Sequence, residues 1–66
     1  MRKKRLMSSI GLLEFREAFW NEEPYLECYI IQTLPNGDEI YTYRGDADCA
    51  IDATNDEILS AWTHPQ

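Results

Sequence analysis

Apolar residues recur at two different spacings along this chain, and each spacing predicts its own kind of element. Between residues 9 and 21 they lie three to four positions apart, which is the period of an amphipathic helix. The predicted apolar face consists of Leu12, Phe15 and Phe19, with Leu13 and Trp20 on its edge. A cap at Ser8 or Ser9 would start this helix, which would end at Trp20 or Asn21 before Pro24. This face would either pack on the rest of the core or serve as a groove-binding or dimerising surface.

Residues 25–44 have the composition of a β-hairpin. Two segments of β-branched and aromatic residues flank Leu34-Pro35-Asn36-Gly37-Asp38, where proline, asparagine and glycine favour a reversal. We predict strands over 25–33 and 39–44, with Leu34 opposite Glu39 and Ile30 opposite Tyr43. Because apolar groups then fall on both faces of the hairpin, one face would pack on the amino-terminal helix. The other would stay partly exposed for a partner.

The carboxyl-terminal third admits two interpretations. Asp46 can cap a short helix over 47–53, and Thr54 with Glu57 forms a capping box that predicts a second helix over 55–62. Residues 57–62 would equally suit a third strand beside the hairpin. The expected fold is therefore α+β: an amino-terminal helix, an antiparallel hairpin, a short helix, and then a strand or a second short helix. Sixty-six residues allow a single small domain.

Charge is distributed unevenly between the first five residues and the rest. The segment 2–5 contributes four of the six cations, whereas the chain from Leu6 onward has two cations against twelve acids, a net charge of −10. We expect the basic leader 1–7 and the end 63–66 to be disordered. An acidic body is unsuited to bind nucleic acid directly but suits a basic partner protein. The alternative is an acidic surface that only maintains solubility.

Catalytic and metal-binding patterns are missing from the sequence. It contains no phosphate-binding glycine loop, no nucleophile elbow and no clustered metal ligands, and its one histidine, His64, is close to the end. We therefore predict a protein that is not an enzyme and needs no cofactor. Cys28 and Cys49 could form a disulfide, but two isolated cysteines favour free thiols in a reducing compartment. Residues 6–13 are too few to span a membrane and lack a signal-peptide cleavage site.

From Leu26 onward the chain resembles the small phage-encoded uracil-DNA glycosylase inhibitors, which are dimeric DNA mimics. Three segments within residues 26–62 carry the resemblance. They are the hairpin with its tyrosine-containing second strand ending in Arg44-Gly45, the acidic segment 46–53, and Thr54-Asn-Asp-Glu-Ile-Leu59, which is similar to the family's closing Thr-x-Asp-Glu-Ile-Ile.

The resemblance implies a fold, a partner and a set of binding residues. The closing segment would be a third strand, two protomers would pair, and carboxylates would replace DNA phosphates in the groove of uracil-DNA glycosylase. An apolar pocket lined from the 46–53 helix would involve Ile51, where the family has an aromatic residue, and the adjacent Asp52. The expected partner-binding residues are Glu27, Tyr29, Asp46, Asp48, Ile51, Asp52, Asp56 and Glu57.

These expectations place the protein in the cytoplasm of an infected bacterial host, with no contact to nucleic acid or membrane. The same acidic surface could instead block a restriction enzyme or a nuclease. A second class of function is a small phage structural or assembly module that uses the amino-terminal helix, the hairpin edge and the basic leader.

Overall fold

In the computed structural model, which describes residues 2–63, the chain forms one four-stranded antiparallel sheet and one short helix. The elements in chain order are β1 Lys3–Ser8, β2 Gly11–Trp20, β3 Glu23–Thr33, β4 Glu39–Ala47 and α1 Asn55–Thr63. Each strand pairs with the next one along the chain, so the strand order in the sheet is β1-β2-β3-β4. Of the end expected to be disordered, residues 64–66 lie outside the described residues, and Thr63 is the last residue of α1.

The predicted amino-terminal helix is wrong, because residues 11–20 are strand β2. In the centre of β2, successive side chains point to opposite faces of the sheet. Leu13 and Phe15 point to the face that packs on the carboxyl-terminal segment, and both are fully buried. Glu14 points to the opposite face and is also fully buried, so the alternation is not a simple apolar and polar one. The expectation of a disordered basic leader is corrected as well, since Lys3–Ser8 is strand β1 and pairs with β2.

The hairpin prediction is confirmed, with longer strands and a different register. Thr33 lies opposite Glu39 and Ile30 opposite Thr42, which is one residue away from the expected pairing. The connection is a five-residue loop in which the Leu34 N–H donates to the Asp38 carbonyl at 2.7 Å. Gly37 has φ +93°, a conformation that favours glycine. The shift moves Tyr41 and Tyr43 onto the same face as Tyr29.

The short helix expected over 47–53 is not formed. Asp46 and Ala47 are the last residues of β4, and 48–53 are irregular apart from a turn at 51–52. Residues 55–63 are helical, so the interpretation from the capping box was right and the third strand implied by the resemblance was wrong. The Thr54 hydroxyl accepts the Glu57 N–H at 3.2 Å and donates to the Glu57 carboxylate at 3.0 Å.

The core lies between one face of the sheet and the carboxyl-terminal segment. Leu13, Phe15, Leu26 and Cys28 from the sheet pack with Ile58 from α1, and all five are fully buried. Ala47 and Ile51 close the same cluster near the end of β4. Trp62 meets Phe15 edge to face at 6.3 Å and donates its indole N–H to the Arg44 carbonyl at 2.8 Å. Consequently the opposite face of the sheet has no covering layer among the described residues.

Candidate interaction surface

The uncovered face of the sheet, called the open face below, is organised around one buried carboxylate. The side chain of Glu14 on β2 is only 1 % exposed. Its two oxygens accept hydrogen bonds from Arg5 Nε at 3.0 Å and from Arg16 Nε at 2.6 Å. Burial alone would raise the pKa of Glu14, but the hydrogen bonds from Arg16 and Arg5 outweigh it, so the pKa lies below its usual value. Glu14 is therefore a charged anchor between two arginines.

Both arginines are held further by tyrosines and by a second carboxylate. The guanidinium of Arg16 lies over the rings of Tyr29 and Tyr41, at 4.3 and 4.9 Å from their centroids, in cation–π geometry. Arg5 reaches from β1 to β4, where it donates to both oxygens of Glu39 at 3.1 and 3.0 Å. This half of the open face is thus neutralised by its own cations.

Internal ion pairs neutralise three of the six cations and leave most acids without a partner. Arg2, Arg5 and Arg16 form the ion pairs found within residues 2–63, and they engage three of the twelve carboxylates, those of Glu14, Glu17 and Glu39. Nine carboxylates form no ion pair there: Glu22, Glu23, Glu27, Asp38, Asp46, Asp48, Asp52, Asp56 and Glu57. The protein therefore presents its negative charge outward.

Two of the unpaired carboxylates lie directly opposite each other on the open face. Glu27 on β3 is the cross-strand neighbour of Asp46 on β4, and like charges in that position destabilise a sheet. Arg16 is the neighbour of Glu27 on the other side, but its guanidinium bonds to Glu14 instead. Within residues 2–63, no cation forms an ion pair with either carboxylate.

Tyrosines surround the Glu27–Asp46 pair. The Tyr43 hydroxyl donates to Asp46 Oδ1 at 2.5 Å. This bond, together with burial and the nearby carboxylates, raises the pKa of Tyr43 to about 12. Tyr29 meets Tyr43 edge to face at 5.7 Å. Burial, Glu27 and Asp46 raise the pKa of Tyr25. Tyr25 and Tyr43 therefore stay neutral at pH 7, and this half of the open face is acidic and aromatic.

A cleft opens beside this acidic half, where β4 ends. It has a volume of about 500 Å³ and is lined by Trp20, Glu23, Pro24, Tyr25, Asp46, Ala47 and Asp48. Trp20 is 73 % exposed. The cleft combines apolar walls with three carboxylates, which is chemistry suited to a cation rather than to an anion.

The structure brings some of the expected binding residues together and separates others. Glu27, Tyr29 and Asp46 share the open face, and Asp48 lies in the adjacent cleft. Ile51 is 6 % exposed and packs in the core, so it cannot line a pocket for a partner. The remaining three, Asp52, Asp56 and Glu57, are exposed in the carboxyl-terminal layer that covers the other face.

Four residues of this surface were missed from the sequence: Trp20, Glu23, Tyr25 and Tyr43. The signal that could have identified the tyrosines is their two-residue spacing, since Tyr25, Glu27 and Tyr29 must share a face of one strand, as must Tyr41 and Tyr43. Trp20 and Glu23 lie where the sequence predicts the end of a helix and the linker after it.

Residues 2–63 contain neither a cluster of metal ligands nor a membrane-spanning helix. Their cysteines, aspartates and glutamates form no group of three that could hold a metal ion. Among the same residues, no helix has the length and apolar character needed to cross a membrane. Cys28 and Cys49 are free thiols. His64 lies outside the described residues.

Comparison of the chain with protein-family models, with curated proteins and with solved structures found no match.

Proposed function

We propose that this protein is a non-catalytic inhibitor that covers the cationic DNA-binding groove of a DNA-handling enzyme, with uracil-DNA glycosylase as the first target to test. The proposal includes a phage origin and action in the cytoplasm of the infected bacterial cell. The three-stranded sheet and the Ile51 pocket that the resemblance implies are not part of it, because the fold differs at both places.

The observation that carries the proposal is the uncompensated Glu27–Asp46 pair on the open face. Two adjacent carboxylates without a cation are unfavourable in the free protein. A partner that places a lysine or arginine beside them would relieve this repulsion and gain attraction from the surrounding acids. Proteins that grip nucleic acid present such cationic grooves, since they must neutralise phosphates.

Internal pairing of the arginines supports the same function. The basic residues 2–5 would weaken a DNA mimic if they extended into solvent. Instead, Arg2 bonds to Glu17 at 3.2 Å and Arg5 bonds to Glu14 and Glu39. Arg2 and Arg5 are thus neutralised by carboxylates of the sheet itself, while nine other carboxylates form no ion pair within residues 2–63.

The test is a uracil-excision assay with a bacterial uracil-DNA glycosylase and increasing amounts of this protein, followed by size-exclusion chromatography of the mixture. We expect stoichiometric inhibition, a co-eluting complex, and a steep loss of binding as salt rises. The double variant Glu27→Gln with Asp46→Asn should slow association. A matched control, Asp52→Asn with Asp56→Asn, removes the same charge from the opposite layer and should have a smaller effect.

Full glycosylase activity at large excess of protein would refute this target. The same assay with a restriction endonuclease and a nuclease then tests the broader class. Affinity that stays constant from low to high salt would contradict DNA mimicry for any of these enzymes.

An assembly module is the second candidate, favoured by two exposed aromatic side chains at the β2–β3 turn. Phe19 and Trp20 are 63 % and 73 % exposed, and exposed aromatic residues are frequent anchors of protein interfaces. Deleting residues 1–5 cannot separate the two functions, because it removes half of the paired residues of β1. Phe19→Ser tests this candidate instead: an assembly module should lose its partner, whereas a groove-blocking inhibitor should retain its salt-dependent binding.

A further inference from the structure

The β2–β3 hairpin extends beyond the rest of the sheet as a two-stranded arm, defined here as residues 18–25. The β1 ladder ends at the pair Lys3–Arg16, and the β4 ladder ends at Leu26–Ala47. The arm is closed by Asn21 and Glu22, which both have positive φ, +50° and +67°. That geometry is typical of a tight two-residue turn whose twist matches its strands. The arm therefore forms one wall of the cleft at the end of β4.

The cleft contains aromatic surface and carboxylates that no cation engages. Trp20, Pro24 and Tyr25 line it from the arm, and Asp46 and Asp48 line it from the end of β4. Within residues 2–63, Asp48 forms neither an ion pair nor a side-chain hydrogen bond, and Asp46 accepts only the Tyr43 hydroxyl. The repulsion between Asp46 and Glu27 remains uncompensated at the same place. A cation in the cleft would pair with these aspartates and would reduce the repulsion between Asp46 and Glu27.

Pro24 makes the cleft less suited to an added β-strand than to a single side chain. The pair Trp20–Glu23 flanks the two-residue turn and exchanges hydrogen bonds, so at the next pair, Phe19–Pro24, the backbone nitrogens point away from the partner strand. Pro24 thus occupies the outer edge of β3 with no N–H to donate. An added strand would lack this hydrogen bond, whereas a single side chain can enter without one.

The open face already binds one guanidinium with the same types of group. Arg16 lies over two tyrosine rings and bonds to a carboxylate oxygen at 2.6 Å. Its planar, weakly hydrated head suits such sites better than an ammonium does. The cleft repeats this chemistry with Trp20 and Tyr25 as the aromatic groups and Asp46 and Asp48 as the acids.

We propose that the cleft beside the arm binds an arginine side chain of a basic partner protein. This inference rests on the proposed function in taking a basic protein as the partner, and it names the group that is recognised and the residues that recognise it. Trp20 and Tyr25 stack on the guanidinium, and the two aspartates accept its hydrogen bonds.

The test uses the full chain and a small probe, without any enzyme. N-acetyl-arginine methylamide is titrated into isotope-labelled protein and followed by amide and indole chemical shifts. The citrulline analogue, which has nearly the same shape without the charge, serves as the control ligand. We expect saturable shifts of the Trp20 indole and of residues 46–48 with arginine only. Trp20→Ala should weaken binding about two- to fivefold, the factor that an exposed cation–π contact supplies.

Two double variants give the decisive comparison. Asp46→Asn with Asp48→Asn should abolish the saturable shifts, whereas Asp52→Asn with Asp56→Asn, which removes the same charge elsewhere, should retain them. Equal shifts with citrulline, unsaturated shifts spread over all acidic residues, or no shifts at all would overturn the proposal. An active glycosylase in the inhibition assay would refute the target enzyme and leave this titration unchanged, so the two failures are distinguishable.

Discussion

Replacing Glu14 by glutamine tests whether the buried carboxylate holds the open face together. Glu14 accepts one hydrogen bond from each of two guanidinium groups. Glutamine has the same shape but no charge, and it has one acceptor oxygen in place of two. Its amide group would then face an arginine N–H, donor against donor.

The expected loss of stability is about 2–3 kcal/mol. Each hydrogen bond to a charged group contributes roughly 1.5–3 kcal/mol, and two are affected. However, the side chains of Arg5 and Arg16 are 40 % and 29 % exposed, so water regains part of the lost interaction. A domain of this size has a total stability of roughly 3–10 kcal/mol. The variant should therefore unfold roughly 10–20 °C lower.

Thermal unfolding followed by circular dichroism measures this loss, with Glu39→Gln as the matched control. Glu39 bonds to the same Arg5 but lies at the exposed edge, where ion pairs contribute little. A decrease in Tm for Glu14→Gln no larger than that for Glu39→Gln would refute the central role of Glu14.

The pH dependence of stability gives an independent check. Since the folded-state pKa of Glu14 is lowered, the unfolded chain takes up this proton at a higher pH than the folded protein does. The stabilisation is therefore fully present above the unfolded pKa, about 4.3, and is lost as pH falls through the folded value. Glu14→Gln should flatten the acid limb of the stability curve, and an unchanged limb would contradict the assignment.

Three further predictions concern single positions. Glu27→Gln should raise stability by roughly 0.2–1 kcal/mol in urea unfolding, because it removes the repulsion with its cross-strand acid; a decrease would argue against that repulsion. Glu22→Gly should raise Tm by several degrees, since φ +67° costs an L-residue about 1–2 kcal/mol, and an unchanged or lower Tm would contradict strain at the turn. Ellman's reagent at pH 8 should modify Cys49 before Cys28, because Cys28 is fully buried with its pKa raised to about 11 by burial; equal rates would indicate that the core opens freely.

The hairpin and the final helix could be predicted because their signals are local. Leu34 to Asp38 contains the turn residues themselves, and Thr54 with Glu57 forms the capping box that the structure contains. Neither feature depends on distant parts of the chain.

The error at residues 11–20 arose because both faces of β2 carry apolar and polar residues. Leu12 and Trp20 fall on the face of Glu14, whereas Glu17 falls on the face of Leu13 and Phe15. Leu12, Phe15 and Phe19 then match a helical period by coincidence. The two arginines that make burial of Glu14 tolerable come from β1 and from β2 itself, and only the β1–β2 pairing shows that they meet.

The acidic surface could be predicted in kind but not in position. Glu27, Tyr29 and Asp46 do share a face, although the expected register is one residue off between Tyr29 and Thr33. Five residues separate the paired strands at the turn, and an irregularity between Glu27 and Tyr29 shifts the register again near Gly45, which has φ +97°. The cleft depends on both shifts and on the length of the arm, which no single segment specifies.

The order of strands in the sheet also determines how quickly this protein should fold. Every strand pairs with its neighbour in the chain, and the first two connections contain only two residues each. Closing such short loops costs little entropy, so the ladders can form one after another from the β2–β3 hairpin outward. The one distant closure is the packing of Ile58 and Trp62 onto Phe15. We therefore expect the sheet to form early in folding. The docking of α1 would follow and complete the hydrophobic core.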